Sequence, residues 1–277
     1  MKVAVIGAGA MGSGIAQVFA SNAEYEVILC DISLEYADNG KSRIEKGLAR
    51  LVSKEKMTQE DMDALLARIT TGLNDAAADG DLIIEAALEQ LDLKKQLFKD
   101  LQSICKPDAI FATNTSSLSI TELAAGLDRP LVGMHFFNPA PVMKLVEVIS
   151  GLNTPPEVAE KVTEIAVGLG KEPVQVKDSA GFIVNRILIP MINEAIGVLA
   201  DGVATADDID TAMKLGSNHP MGPLALSDLI GLDVCLAIMD VLYVDTHDSK
   251  YRAHPLLRKM VRGGKLGRKT GEGFFAY

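Results

Sequence analysis

A histidine and a glutamate in the middle of this chain have the types and spacing needed for proton transfer. His135 ends an apolar segment, and Glu147 follows twelve residues later. In the predicted strand Glu147 lies two residues from Leu145 and two from Ile149, so it shares the face of these apolar residues, which should be buried. A carboxylate buried alone would cost on the order of several kcal/mol. Pairing with His135 would relieve that cost, fix the imidazole tautomer and stabilise the imidazolium, as general acid–base catalysis requires.

The other three histidines lack such a context. His219 and His254 each precede a proline, which is typical of turns, and His247 lies in a polar, acidic segment. A lone histidine is more often structural than catalytic, but His135 lies near the end of a predicted strand and has an acid within reach. The sequence therefore predicts that His135 transfers the proton and that Glu147 supports it.

A glycine-rich turn near the amino terminus provides a second chemical feature, Gly7-x-Gly9-x-x-Gly12 between an apolar run and a helix-like stretch. Gly7 permits the tight turn, Gly9 lets the backbone approach a pyrophosphate, and Gly12 lets the helix pack against the strand. The next strand ends at Asp31, 19 residues after Gly12, where a carboxylate can accept hydrogen bonds from an adenosine ribose. Because Asp31 would repel a 2′-phosphate, the motif predicts NAD as the cofactor rather than NADP.

These residues need a framework that alternates strands and helices. Apolar, continuous runs typical of buried parallel strands recur through the first 179 residues, separated by amphipathic helical segments. This order predicts an α/β fold, a Rossmann-type and mostly parallel sheet, with residues 34–68 as an inserted helical hairpin projecting from the sheet. The later predicted strands are 25–30, 69–73, 82–86, 109–112, 131–136, 144–149 and 172–177.

The character of the chain changes near residue 180. Beyond it the sequence predicts helices at 182–200, 206–215, 224–243 and 255–261. We therefore predict two domains, an NAD-binding domain at residues 1–179 and an all-α domain at residues 180–277 that contributes to substrate binding and dimerisation. An apolar stripe favours a homodimer, although the same residues could fill an intramolecular core; it comprises Ile187, Ile192, Ile196 and Leu199.

Composition and charge exclude several classes of protein. A chain of 277 residues with 48% hydrophobic residues can bury a large core, and no stretch has the length and uncharged character of a membrane span. Three scattered cysteines favour a reducing cytoplasm and have no metal-ligand spacing, so we expect no metal site. The net charge of −10 argues against nucleic acid as a partner.

Basic residues nevertheless cluster in two places. The first basic island, residues 41–56, contains six basic and two acidic residues, and the second basic island, residues 258–269, contains six basic and no acidic residues. On an acidic protein, such islands suit a polyanionic small molecule. Each could equally be a solvated helix face whose charges balance nearby acids.

The chain resembles the (S)-3-hydroxyacyl-CoA dehydrogenase family over nearly its whole length. The resemblance implies a two-domain, NAD-dependent oxidoreductase that interconverts acetoacetyl-CoA and (S)-3-hydroxybutyryl-CoA, in butyrate formation or in fatty-acid oxidation. It rests on GAGAMGSGIAQ at 7–17, EAALE at 85–89, NTSSLSIT at 114–121, GMHFFNPAPVMKLVEVI at 133–149, KDSAGFIVNR at 177–186, DTAMKLGSNHPMGP at 210–223 and GRKTGEGF at 267–274.

The resemblance also implies roles for single residues. His135 would be the general acid/base with Glu147 as its partner, Ser116 and Asn185 would contact the substrate, and Lys54 would contact the CoA phosphates. Besides Asp31 and the glycines, the implied cofactor residues are Met11, Glu89, Lys94, Asn114, Ser116, Asn138 and Lys269. From the residues alone, Ser116 could instead cap a helix, Lys94 could be a solvated charge, and Asn185 could bond a neighbouring backbone group.

Two departures and two alternative functions accompany the resemblance. Gly47 stands where some relatives place a serine that contacts CoA, so we assign it no role, and the segment between Ser116 and His135 is slightly shorter than in relatives. A dehydrogenase for a non-CoA hydroxy acid or sugar acid would share the His–Glu pair but would not need the first basic island. A structural protein that binds the cofactor without turnover would not need the catalytic residues.

Overall fold

Eight strands form one sheet in the first part of the chain. The computed structural model describes all 277 residues, which divide into two units, Met1–Asp178 and Ser179–Tyr277. The first unit contains every strand of the sheet: β1 Lys2–Ile6, β2 Glu26–Asp31, β3 Ile69–Leu73, β4 Leu82–Glu85, β5 Ile110–Thr113, β6 Leu131–Phe136, β7 Leu145–Ser150 and β8 Glu172–Lys177.

The strand order explains where a site can form. The sheet runs β3-β2-β1-β4-β5-β6-β7-β8, and every neighbouring pair is parallel except the antiparallel pair β6 and β7. The carboxyl ends of β1, β2, β4, β5 and β6 therefore meet at one edge, where α/β sheets bind their ligands. The predicted fold class, a mostly parallel sheet with helices, is confirmed.

Six helices pack on this sheet. Three of them begin at polar caps, because Ser33, Thr58 and Ser119 each accept a hydrogen bond from a backbone N–H in the first turn. A short 3₁₀ segment at Asn74–Asp79 has no counterpart among the predicted elements. The helices are α1 Ala10–Ala20, α2 Leu34–Val52, α3 Gln59–Ala67, α4 Leu91–Ile104, α5 Ile120–Ala124 and α6 Pro156–Gly168.

The predicted helical hairpin is also the connection between β2 and β3. One face of α2 is buried and contributes Ala37, Gly40, Ile44 and Leu48. Gly40 lies so close to the glycine-rich turn that a Cβ there would come within 2.7 Å of the Ala8 side chain. The exposed side of α2 carries Lys46 and Arg50 of the first basic island, whereas Arg43 donates to the Ala8 carbonyl oxygen of the turn.

The second unit is helical, as predicted. Its core is formed by apolar residues of all five helices, among them Ile189, Ile209, Leu224, Met239 and Leu257. The helices are α7 Val184–Ala200, α8 Ala206–Gly216, α9 Pro223–Ile230, α10 Leu232–Thr246 and α11 Pro255–Arg262. No helix in the structure combines the length and the apolar character needed to cross a bilayer.

One predicted helix is wrong. The continuous apolar pattern over residues 224–243 predicted a single helix, but the structure has α9 and α10 with Gly231 between them. Gly231 has φ of +105°, which side chains other than glycine rarely adopt and which no right-handed helix contains. A Cβ at Gly231 would also come within 2.9 Å of a carboxylate oxygen of Asp233.

The apolar stripe on α7 mostly serves its own unit. Ile192 and Ile196 are completely buried in the helical core, and Leu199 packs against that core. Ile187 stays 67% exposed. Packing within the second unit therefore accounts for three of the four residues of the stripe, and only the Ile187 side chain is exposed.

Candidate active site

His135 and Glu147 face each other across the one antiparallel strand pair. They are directly opposed in the register of β6 and β7, and the His135 Nδ1 lies 2.8 Å from the Glu147 Oε2. Both side chains are buried, His135 to 5% and Glu147 to 1% exposure. Sequence periodicity placed the two in one region, and the antiparallel turn between β6 and β7 makes them a hydrogen-bonded pair.

This pairing determines which imidazole nitrogen can exchange a proton with a substrate. An ionised carboxylate only accepts hydrogen bonds, so the Nδ1 carries a hydrogen and donates it to Glu147. The Nε2 is then the atom for proton transfer. The Phe137 ring packs against the imidazole at a centroid distance of 4.5 Å and limits its rotation.

The glycine-rich turn has the shape that a bound dinucleotide requires. Gly7 has φ of +100°, and a Cβ there would lie 2.7 Å from the Ala86 carbonyl oxygen; a Cβ on Gly12 would lie 1.7 Å from the Gly7 carbonyl oxygen. Protein packing thus explains these two glycines. No protein atom lies within 4 Å of the Cβ position of Gly9, and α1 begins there without a side-chain cap. Gly9 therefore leaves room for a ligand, and the uncapped first N–H groups of α1 could donate to the phosphates of a bound dinucleotide.

Asp31 lies beside this turn, at the end of β2. Its Oδ2 accepts a hydrogen bond of 2.7 Å from the Ala8 N–H, and its Oδ1 accepts one of 2.7 Å from the Ile32 N–H. These bonds orient the carboxylate next to Gly9, as the ribose role of Asp31 requires. The Arg43 side chain of α2 contacts the same turn, because its guanidinium donates a hydrogen bond of 3.0 Å to the Ala8 carbonyl oxygen.

The loop that carries Ser116 follows β5 and is held by Glu89; we call residues 113–118 the Ser116 loop. The Glu89 Oε1 accepts hydrogen bonds from the Thr115 hydroxyl at 2.5 Å and from the Ser116 N–H at 2.9 Å. It also lies 3.4 Å from the Ser116 hydroxyl and 3.3 Å from the Ser117 hydroxyl. Ser119, not Ser116, caps α5, so the capping alternative for Ser116 is wrong.

Lys94 is buried between two carboxylates. Its ammonium lies 2.6 Å from the Glu85 Oε1 and 3.2 Å from the Glu89 Oε2, and its side chain is 1% exposed. The alternative of a solvated charge at Lys94 is therefore wrong. Glu85 is completely buried, and its second oxygen accepts a hydrogen bond of 2.7 Å from the Thr113 hydroxyl. The three charges form a network that is buried at Lys94 and Glu85, is exposed at Glu89, and reaches the Ser116 loop from two sides.

The two carboxylates of this network have opposite pKa shifts. Burial raises the pKa of Glu85, although the Lys94 ammonium and hydrogen bonds from Lys94 and Thr113 oppose the rise. Burial also acts on Glu89, but the Lys94 ammonium and hydrogen bonds from Thr115 and Ser116 outweigh it and hold the pKa of Glu89 below its usual range. Lys94 thus favours the charged form of both acids.

Two further loop residues with predicted cofactor roles lie at the ends of β5 and β6. The Asn114 Oδ1 accepts a hydrogen bond of 2.8 Å from the Phe136 N–H, so Asn114 ties the two strands together. Asn138 is exposed in the turn that follows β6. That turn is anchored by the ammonium of Lys171, which donates to the carbonyl oxygens of Ala140 at 2.6 Å and Met143 at 2.8 Å.

Comparison with known proteins decides the family. The model of the 3-hydroxyacyl-CoA dehydrogenase NAD binding domain matches residues 2–179, and the model of the 3-hydroxyacyl-CoA dehydrogenase C-terminal domain matches residues 181–277. This chain belongs to the 3-hydroxyacyl-CoA dehydrogenase family. The predicted family and the predicted cofactor, NAD, are confirmed.

Similar proteins within this family span the whole chain. It is 55% identical to the 3-hydroxybutyryl-CoA dehydrogenase of Clostridioides difficile, over 100% of this chain and 99% of the relative. It is 54% identical to the probable 3-hydroxybutyryl-CoA dehydrogenase of Deinococcus radiodurans, over 100% of both chains. The crystal structure of (S)-3-hydroxybutyryl-CoA dehydrogenase PaaH1 from Ralstonia eutropha is similar with a TM-score of 0.95 and 49% identity, covering 100% of this chain and 98% of that one.

The two basic islands differ in this dehydrogenase. In the first basic island no lysine or arginine forms a salt bridge, and Arg43, Lys46 and Arg50 line a cavity of about 760 Å³ that also reaches Gly9 and Asp31. Lys54 is exposed just beyond the end of α2 and does not line that cavity.

Three of the six cations of the second basic island pair with acids of their own unit. Arg258 pairs with Asp240, Lys265 with Glu272, and Lys269 with Asp233. For these three cations the alternative of charges that balance nearby acids is the observed one. Lys269 is an exposed residue of the 3₁₀ segment Arg268–Thr270.

The remaining predicted residues lie at the starts of helices. Met11 is in the first turn of α1 and packs against the hydrophobic core of the first unit. Asn185 is the second residue of α7. Two residues at the site were missed by sequence reasoning, Glu85 and Phe137. An acidic residue ending the apolar strand β4 was the available signal for Glu85, because a buried acid needs a partner.

Proposed function

We propose that this chain reduces acetoacetyl-CoA to (S)-3-hydroxybutyryl-CoA with NADH, and catalyses the reverse oxidation with NAD. The observation that carries the proposal is the buried His135–Glu147 pair, because a reaction at a carbonyl carbon must deliver a proton to the oxygen. When bound, the nicotinamide supplies or accepts the hydride. The chain's own residues orient the reactants and move the proton.

The proton moves through the His135 Nε2. In reduction, the imidazolium donates this proton to the oxygen of the ketone, and Glu147 stabilises the imidazolium through the Nδ1–H. In oxidation, the neutral imidazole accepts the proton of the 3-hydroxyl group. We assign Ser116 and Asn185 as hydrogen-bond partners of the substrate oxygen, where a hydroxyl and an amide stabilise developing negative charge.

The cofactor would be held by residues of the first unit and one of the second. The turn Gly7–Gly12, with Met11 in it, binds the pyrophosphate and Asp31 binds the ribose. We also assign cofactor contacts to Asn114, Ser116 and Asn138 of the first unit. Lys269 of the second unit is assigned the same role. Because Lys94 pairs with Glu89 and Glu89 bonds the Ser116 loop, we infer that their contribution to the cofactor site combines contact with positioning. In this proposal residues 1–179 bind NAD and residues 180–277 complete the site for the substrate.

The CoA portion of the substrate distinguishes this function from the second candidate, a dehydrogenase for a non-CoA hydroxy acid or sugar acid. The phosphates of CoA need cations that are not already paired. The first basic island offers Arg43, Lys46 and Arg50 along one cavity. Lys54 lies outside that cavity and is exposed. A small acid without phosphates would not use these cations, so their lack of carboxylate partners favours the CoA thioester.

A substrate comparison tests the proposal. NADH oxidation is measured with acetoacetyl-CoA and with free acetoacetate at equal concentrations. We expect rapid oxidation only with the thioester, and equal rates with both would overturn the assignment in favour of the second candidate. No oxidation with either ketone would favour a structural protein.

Charge reversal in the first basic island sharpens the same test. The substitutions Lys46→Glu and Arg50→Glu should each raise the KM for acetoacetyl-CoA by roughly fivefold at low salt with little change in kcat, because a partly screened charge contact contributes on the order of 1 kcal/mol. The matched control is Lys259→Glu, the same change at an exposed lysine of the second basic island. An equal increase for the control would show a general charge effect instead of a CoA contact.

We also propose that the chain forms a homodimer through residues 180–277 and acts in the cytoplasm. Exposed apolar residues on the second unit support the dimer, including Ile187 at 67%, Leu215 at 83% and Val244 at 65% exposure. All three cysteines are buried and unpaired, as in a reducing compartment. Sedimentation equilibrium of the wild type and of Ile187→Asp tests the dimer; a monomeric wild type would overturn it.

A further inference from the structure

We propose that Glu85 is a positioning residue of the reaction, because it sets the geometry of the Ser116 loop without itself contacting substrate or cofactor. Glu85 is completely buried at the end of β4, and protein groups surround its carboxylate. Its Oε1 accepts hydrogen bonds of 2.6 Å from the Lys94 ammonium and of 2.6 Å from the Ala87 N–H, and its Oε2 accepts one of 2.7 Å from the Thr113 hydroxyl. The inference rests on the proposed role of Ser116.

The first route from Glu85 to Ser116 is made of charges. Lys94 bridges Glu85 and Glu89, at 2.6 Å and 3.2 Å, and Glu89 accepts the Ser116 N–H at 2.9 Å. The position of Lys94 is a balance between two carboxylates. Without the charge of Glu85, we expect the ammonium to move toward Glu89 and the Ser116 backbone to move with it.

The second route is made of hydroxyl groups and enters the loop from its other end. The Thr113 hydroxyl donates to Glu85 and accepts the Thr115 N–H at 3.2 Å. The Thr115 hydroxyl donates to Glu89 and accepts the Leu118 N–H at 3.0 Å. Both routes begin at Glu85, so its carboxylate determines the positions of residues on either side of Ser116.

A buried network of this kind costs free energy and is best explained by the precision it gives. Desolvating an ammonium and a carboxylate offsets most of their attraction, and an apolar pair of similar volume would often be equally stable or more stable. What charges and hydroxyls provide is a directional arrangement whose members cannot shift independently. At a loop that carries a substrate-binding serine, displacement by about 1 Å is enough to lower a rate by about a hundredfold.

The experiment begins with Glu85→Gln, which keeps the shape of the side chain and removes its charge. We expect kcat for acetoacetyl-CoA reduction to fall by roughly tenfold to a hundredfold. The KM values for acetoacetyl-CoA and NADH should stay within about twofold, since a small displacement of Ser116 mainly weakens the stabilisation of charge that develops in the transition state. The control is Glu122→Gln, the same substitution at a glutamate of α5 that pairs with Lys95 at 3.4 Å on the surface, and it should keep the wild-type kcat.

A double-mutant cycle separates positioning from a general structural effect. If Glu85 acts through the Ser116 loop, Glu85→Gln will lower kcat much less in a Ser116→Ala background than in the wild type. Loss of stability without positioning would lower kcat by the same factor in both backgrounds. Equal factors, or a wild-type kcat in Glu85→Gln, would overturn the proposal.

Hydrogen exchange in the protein without ligands provides a readout that does not depend on activity. The Ser116 and Leu118 amides should exchange on the order of tenfold faster in Glu85→Gln, while those in β1 and β6 stay unchanged. In Glu122→Gln the loop amides should exchange at the wild-type rate. Acceleration throughout the first unit would indicate global destabilisation and contradict the proposal.

A second variant keeps the test decisive if Glu85→Gln does not fold. Thr113→Val removes only the hydroxyl that donates to Glu85, and it should lower kcat with the same dependence on Ser116. A Thr113→Val enzyme with wild-type kcat and wild-type loop exchange would also overturn the proposal. Failure of the proposed function is distinguishable, since it would show as an inactive wild type, whereas this proposal fails only through its variants.

Discussion

Two buried glutamates near the same edge of the sheet have different partners. Glu147 is 1% exposed and bonds His135, whereas Glu85 is completely buried and bonds Lys94. Both carboxylates need a counter-charge, because an unpaired buried charge is strongly destabilising. An imidazole can gain and lose a proton near neutral pH, whereas an ammonium only donates hydrogen bonds and attracts both carboxylates. The first pair is therefore suited to chemistry and the second to holding a loop.

The largest effect should follow from breaking the pair that can exchange protons. His135→Gln and Glu147→Gln should each lower kcat by roughly a hundredfold to ten-thousandfold, because proton transfer is lost or the imidazole tautomer is no longer fixed. The affinity for NADH, measured by fluorescence titration, should change little. If either variant keeps wild-type turnover, the assignment of chemistry to this pair is wrong.

The second pair should matter most for stability. Lys94→Met leaves Glu85 and Glu89 without their shared cation, and we expect the free energy of unfolding to fall by about 3–5 kcal/mol. Urea denaturation measures this change. The neighbouring Lys95→Met is the control, because Lys95 forms only a surface pair with Glu122, and it should cost about 0–1 kcal/mol. Similar losses for the two variants would contradict the structural role of the buried network.

The pH dependence of the same variant gives the smallest and most specific effect. A carboxyl whose pKa is raised by folding stabilises the fold below its unfolded pKa, and that contribution is lost as pH rises through the folded pKa. Burial raises the pKa of Glu85 in this way. Without Lys94 the pKa of Glu85 should rise further, and the pKa of Glu89, which Lys94 now lowers, should rise as well. The destabilisation by Lys94→Met should therefore be smaller at about pH 5 than at about pH 7.5.

Denaturation of wild type and variant at both pH values measures this difference. In the wild type, the lowered pKa of Glu89 gives a contribution that is lost as pH falls, which opposes the contribution of Glu85. The wild type should accordingly show the flatter profile. An equal destabilisation at the two pH values would show that the carboxylates do not depend on Lys94 for their charge.

Sequence reasoning succeeded where one local pattern was sufficient. Periodicity identified all eight strands. It failed at Gly231, because the apolar pattern continues across α9 and α10 and only the positive φ of one glycine interrupts them. It also left open whether Ile192 and Ile196 face a partner, a question that the packing of the helical core answers.

By itself the sequence determined the α/β order of elements and the glycine-rich turn followed by Asp31, and it singled out His135 and Glu147 as a candidate pair, because these depend on residue types and their spacing along the chain. Only the tertiary structure decided that Lys94 is buried between Glu85 and Glu89, that three cations of the second basic island pair with acids, and that no cation of the first forms a salt bridge. Those outcomes depend on which side chains meet across different elements, and burial sets the free energy of each meeting.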